Sequence, residues 1–140
     1  MPVAARGFGV LIAEDNRDLR AALCAIIGAE PDMHVAGTAA RVEELVDAMR
    51  TSPARVLVLD LDLGGQSSVP ALETLRAQHP HLAAVIFSGG TPDALASVAA
   101  RLGRCECVVK TGDGTPLLDA IRRGAQGTLQ DPGSGAAGAG

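Results

Sequence analysis

Residues 56–65 read Val56-Leu57-Val58-Leu59-Asp60-Leu61-Asp62-Leu63-Gly64-Gly65, and this stretch decides the fold. Four consecutive aliphatic residues with no polar alternate fit a strand buried on both faces, as in a parallel sheet covered by helices. Asp is a poor strand residue, so Asp60 marks the carboxyl end of that strand. Functional groups of open parallel α/β sheets gather at those ends. Gly64 and Gly65 allow a tight backbone turn beside the acids.

Working outward, the same unit recurs. Phe8 to Ala13 reads as a strand, and Asn16 to Gly28 as a helix that Asn16 can cap, with Leu19, Leu23, Ile26 and Ile27 on one face. His34 to Gly37 is a weaker strand, followed by a helix over Arg41 to Met49. Beyond residue 65 come a helix at Val69 to Gln78, a strand at Ala83 to Phe87, and a helix at Pro92 to Leu102 with Pro in its first turn and Gly103 at its end. A strand at Cys107 to Val109 and a helix at Pro116 to Arg123 complete the set. Strands alternating with helices predict an α/β, flavodoxin-like (βα)5 doubly wound fold: a five-stranded parallel sheet in the order 2-1-3-4-5. Residues 8–124 are predicted to form one domain. Residues 125–140 lie in a Gly-rich stretch without periodicity and are expected to be a flexible tail.

Composition narrows the function. Twelve basic against sixteen acidic residues leave a net charge of −4, unlike a general nucleic-acid binder. Phe8 and Phe87 are the only aromatics, so no stacking platform for single strands is available. Hydrophobic residues make up 47% of the chain, enough for a core of Leu, Val, Ile and Ala. No apolar run approaches the roughly 20 residues of a membrane span. The cysteines Cys24, Cys105 and Cys107 lack a secreted-framework spacing, and a reducing cytoplasm is expected. Cys105 and Cys107, two apart on a strand, are expected on opposite faces and unable to pair. Each cysteine reads as a small buried hydrophobe. Eleven of the twelve basic residues are Arg, and Lys110 is the single Lys.

The carboxyl ends of the predicted strands carry Glu14-Asp15, Asp60 with Asp62 close behind, Ser88, and Lys110. Clustered carboxylates repel unless a cation sits among them, and an all-oxygen set suits a hard ion such as Mg²⁺. A carboxylate in that setting can attack a phosphoryl group, a reaction that needs mainly positioning and charge neutralisation.

The segments VLIAEDN, PDMHVAG, VLVLDLDLGG, AVIFSGG and CVVK, in this order and over about Phe8 to Arg123, resemble the receiver domain of two-component response regulators. The resemblance implies a phosphoacceptor at Asp60, a Mg²⁺ site at Glu14, Asp15 and Asp60 with the Asp62 backbone carbonyl, and phosphoryl contacts from Ser88 and Lys110. It implies a sensor histidine kinase or phosphotransfer protein as donor partner, a protein contact as output, and no turnover of an external substrate. Neither nucleic acid nor membrane is expected as a direct partner, and self-association into a homodimer is left open. The chain departs from the family pattern at Glu14, where Asp is commoner, and at Gly64 and Thr111, where the family usually has Pro. Cys107 stands where the family carries an aromatic switch residue. Two other readings remain: a haloacid-dehalogenase-like phosphatase using Asp60 as nucleophile and Asp62 as general acid, and a degenerate receiver that acts as an interaction module without phosphorylation.

Overall fold

The computed structural model describes residues 7–89, 91–110 and 113–127. Strands β1 (Phe8–Ala13), β2 (Met33–Ala39), β3 (Val56–Leu59), β6 (Ala83–Ser88) and β7 (Cys105–Val109) form a five-stranded sheet in the order β2-β1-β3-β6-β7. All four pairings are parallel. A short antiparallel hairpin, β4 (Asp62–Leu63) and β5 (Gln66–Ser67), follows the central strand. The helices are α1 (Arg17–Gly28), α2 (Val42–Thr51), α3 (Val69–Gln78), α4 (Pro92–Leu102) and α5 (Thr115–Ala125). With the hairpin set aside, this is the expected flavodoxin-like order.

The period of two along the strands sorts the core into two layers. On one face Leu11, Ala13, Leu57, Leu59, Ala84 and Ile86 meet Leu45 and Met49 of α2, Leu72 and Leu75 of α3, and Leu95 of α4. On the other, Val10, Ile12, Val56, Val58, Val85 and Phe87 meet Leu23 and Ile27 of α1 and Leu117, Ala120 and Ile121 of α5. Every residue of β3 is buried, so that strand shows no alternation in sequence.

Cys105 and Cys107 lie on the same face, both against the layer that includes Leu95. The expectation of opposite faces is therefore corrected: residues two apart on a strand share a face. Cys105 is buried and Cys107 half-buried, and both are free thiols. The neighbouring Cys107 thiol, with burial, pushes the Cys105 thiol up.

Several elements extend beyond the sequence reading. Edge strand β2 runs from Met33 to Ala39, past Gly37, with a register shift between Val10 and Leu11. β7 begins at Cys105, and α5 continues to Ala125. Thr111 and residues 128–140 of the expected tail lie outside the described residues.

Ion pairs fasten α5 to the connection between α1 and β2. The Arg122 guanidinium donates to Glu30 Oε1 at 2.5 Å and to Asp32 at 2.9 and 3.0 Å. This hydrogen bonding holds the Asp32 carboxyl below its usual range. A depressed carboxylate contributes stability that is present above the ordinary Asp value and lost as pH falls through the folded-state value. Asp32 is 45% exposed, so solvent screening limits the gain. Arg122→Ala is expected to lower stability at pH 7 by less than about 1 kcal/mol. It should also flatten the fall in stability below about pH 4, where wild type loses this pair. Urea unfolding from pH 3 to 7 checks both, and an equally steep acid limb in the variant would contradict the assignment.

Candidate phosphoryl and metal site

Ladder register sets the site. Ala13 pairs with Leu59, and the Asp60 N–H donates to the Ala13 carbonyl at 3.0 Å, so Asp60 and Glu14 leave the sheet side by side. Ser88 pairs with Val109, and the Lys110 N–H donates to the Ser88 carbonyl at 3.0 Å, bringing Lys110 to the same edge. There the Lys110 ammonium bridges two acids, donating to Asp60 Oδ2 at 2.8 Å and Glu14 Oε1 at 2.9 Å. It also sits 5.9 Å from the centroid of the Phe87 ring, within cation–π range.

The acids differ in environment. Glu14 is 2% exposed, and burial pushes its carboxyl up against the opposing pull of the Lys110 hydrogen bond. Its Oε2 accepts the Asn16 N–H at 3.0 Å, and its carbonyl accepts from Arg20 at 2.9 Å. Asp15 is exposed, and its carboxyl is held down chiefly by the Gly64 N–H, which donates to Oδ2 at 3.0 Å. Burial works to lower the Lys110 pKa, but the hydrogen bonds to Asp60 and Glu14 outweigh it and the net shift is upward. Lys110 is accordingly a fixed cation at neutral pH.

Gly64 reaches Asp15 because the chain reverses at once after Asp60. Gly64 and Gly65 have φ of +63° and +83°, a left-handed pair that closes the β4–β5 hairpin. Ser68 is fully buried, and its hydroxyl donates to the Asp60 carbonyl at 2.7 Å. The Ser68 N–H donates to the Leu61 carbonyl at 2.9 Å, sealing the base of the loop. Sequence reading missed this serine, since a hydroxyl before a helix reads as an ordinary cap. It missed the hairpin too, although a Gly-Gly pair between short runs was the signal.

One carboxylate oxygen from each of Glu14, Asp15 and Asp60 lies within 4.8 Å of the others. This all-oxygen donor set fits a hard divalent cation. The Asp62 carboxylate is not a member of that group among the described residues, and Asp62 is exposed on the hairpin. Its N–H donates to Asp60 Oδ1 at 3.3 Å. Ser88 ends β6 half-buried at the same edge.

A layer away, the Cys107 thiol donates to the Leu95 carbonyl at 3.1 Å, inside α4. From α3, Arg76 donates to the carbonyls of Leu102, at 2.8 Å, and of Gly103 and Arg104. The body and the carboxyl end of α4 are thus each tied to a neighbouring element.

This constellation on a β2-β1-β3-β6-β7 sheet is that of a phosphoacceptor signalling domain, and residues 10–122 match the response regulator receiver domain family. The chain belongs to that family. It is 29% identical over 133 residues to protein-glutamate methylesterase/protein-glutamine glutaminase 5 of Anaeromyxobacter dehalogenans, covering 88% of this chain and 37% of that protein. It is 29% identical over 113 residues to the DNA-binding transcriptional activator DevR/DosR of Mycobacterium tuberculosis, covering 81% and 52%. The chain thus spans about half or less of these relatives. Among solved structures it resembles a LuxR-family two-component response regulator from Aurantimonas sp., with TM-score 0.81, 23% identity and 93% of both chains covered. It also resembles the response regulator domain of Thermotoga maritima CheB, with TM-score 0.77, 23% identity, and 86% and 98% covered. No helix among the described residues is long and apolar enough to cross a membrane. The family match over residues 10–122 favours the receiver reading over the phosphatase one.

The buried Glu14 depends on Lys110. Removing one partner of a buried pair leaves an uncompensated charge. Lys110 is 26% exposed, so the cost is discounted, and Lys110→Met is expected to lose about 2 kcal/mol. Adding Glu14→Gln to Lys110→Met should regain at least half of that loss. Equilibrium unfolding of the single and double variants at pH 7 measures this, and additive losses would show that Glu14 does not rely on the ammonium.

Proposed function

We propose that this chain accepts a phosphoryl group on Asp60 from a phosphohistidine of a sensor kinase or phosphotransfer protein, and signals through protein contacts. The carrying observation is the Lys110 ammonium on Asp60 Oδ2 at 2.8 Å, beside an acid group fitted to Mg²⁺. Asp60 Oδ1 attacks phosphorus, the bond to the donor imidazole breaks, and the imidazole leaves with the electron pair. Asp60 is the nucleophile, Lys110 neutralises charge on the phosphoryl oxygens, and Ser88 donates a hydrogen bond to the transferred group. Asp15 and Asp60 would hold Mg²⁺, with Glu14 acting mainly through water and the Asp62 carbonyl as a further ligand; the ion would supply charge neutralisation on the phosphoryl oxygens. Residues 8–124 are taken as the signalling unit, with 125–140 a tail that takes no part in the transfer. The chain acts once per phosphoryl group and turns over no external substrate.

Acetyl phosphate with Mg²⁺ is expected to add about 80 Da, one phosphoryl group, to the wild-type chain. Asp60→Asn should abolish the gain, and Asp15→Ala should lose both the gain and the rise in melting temperature that millimolar Mg²⁺ gives wild type. An undiminished adduct in Asp60→Asn would move the phosphoacceptor elsewhere. No adduct at all in wild type would make the chain an interaction module.

The ties on α4 bear on output. Residue 107 is a cysteine, so no ring at that position can swing inward behind Ser88, and its thiol is bonded to the Leu95 carbonyl while Arg76 holds Leu102. Beryllofluoride binding is expected to change hydrogen exchange only in the loops after Ser88 and Lys110 and at the start of α4. Changed protection across β7 and α5 would show a full rearrangement instead.

A further inference from the structure

Eight of the eleven described Lys and Arg residues are engaged. Arg41, Arg50, Arg101, Arg122 and Arg123 are in ion pairs. Arg20 and Arg76 donate to backbone carbonyls, and Lys110 bridges two acids. Among the described residues Arg17, Arg55 and Arg104 have no hydrogen-bonded or ionic side-chain partner. Two of these three, Arg55 and Arg104, line a single cavity of about 380 Å³ together with His81.

The cavity lies at the pole opposite Asp60. Arg55 precedes β3, His81 precedes β6, Arg104 precedes β7, and Gly124 and Gln126 bring in the end of α5. No carboxylate belongs to the lining among the described residues. The chain carries a net charge of −4 and has acids to spare, yet two exposed arginines line this cavity without one. The α5 carboxyl end contributes only a partial negative charge there, no formal one. Arg104 is also the one described non-Gly residue with positive φ, +42°, a sparsely populated conformation for an L-residue. Arg76, donating to the Arg104 carbonyl, holds it there.

We infer that this pole binds a small oligophosphate anion between the Arg55 and Arg104 guanidiniums. The planar fork of each matches two oxygens of a phosphate, and the volume falls in the range of small-molecule sites. The lining has no aromatic residue other than the His81 imidazole, so recognition rests on the phosphates rather than on a stacked base.

Pyrophosphate is the probe, titrated into the ¹⁵N-labelled chain at low ionic strength with a chelator present, which prevents phosphate from binding the acid site through a cation. Saturable amide shifts are expected at Arg55, Ala83, Arg104 and Gln126. Arg55→Ala and Arg104→Ala should each weaken binding about tenfold, and replacement by Lys should restore only part, because the fork is lost. Arg17→Ala, which removes an unpaired guanidinium elsewhere, should leave affinity unchanged. An adenosine triphosphate arm identifies the source: shifts at the same amides with equal or higher affinity point to a nucleotide, and binding of pyrophosphate alone points to a free phosphate chain. The inference is overturned by non-saturable shifts, by equal weakening in Arg17→Ala, or by a glutamate-rich peptide binding this pole more tightly than pyrophosphate.

Discussion

The hydrogen bond from the Asp60 N–H to the Ala13 carbonyl, 3.0 Å long, is the constraint on which the site depends. It is the last rung of the β1–β3 ladder, and it fixes where two buried strands release their chains. Glu14 and Asp60 must then emerge as neighbours, and two carboxylates that close together cannot both remain charged without a cation. The matching rung between β6 and β7 delivers Lys110 to that gap. Sheet register and charge balance are therefore one problem: a slip of one residue in either ladder would turn the acid or the ammonium into the core.

Much of this was legible in the sequence because the relevant signals are local. A continuous aliphatic run ending in Asp60 reports a strand buried on both sides, and Asn16, Gly103 and the early prolines report helix ends. Glu14, Asp15, Asp60 and Lys110 come together because strand order alone delivers them. What was not legible depends on distant partners or on side-chain direction. Ser68 became part of the site only through a hydrogen bond across the hairpin, and Arg76 through a reach of 26 residues to Leu102. The burial of Glu14 against Lys110 follows from packing that no local pattern encodes. The cysteine misreading was different in kind. The strand period was available, and it puts residues two apart on one face.

Cys107 shows how a small residue can alter a coupling route. An aromatic side chain gains its place by burying a large surface and can exchange buried and exposed positions. A thiol has little surface to exchange. Its bond to the Leu95 carbonyl and its contact with Cys105 give it fixed partners on both sides. Arg76 adds a second restraint at the end of the same helix. A switch requires a second arrangement of similar energy, and these ties favour one that leaves the body of α4 and β7 in place.

The single lysine follows from the same economy. This chain uses Arg almost everywhere a cation is needed, and its guanidiniums serve the geometry that suits them: Arg122 grips Asp32 through Nε and Nη2 while Nη2 also reaches Glu30, and Arg76 spreads over successive carbonyls at a helix end. At the carboxyl edge of the sheet the requirement differs. Two acids on adjacent strands converge on one point beside the Phe87 ring, within about 3 Å of a common centre. An ammonium is compact and carries three donors around one atom, so it can serve both acids from that point. A planar fork would need the acids further apart and in its own plane. At this position the ladders place two acids where a compact point charge serves both.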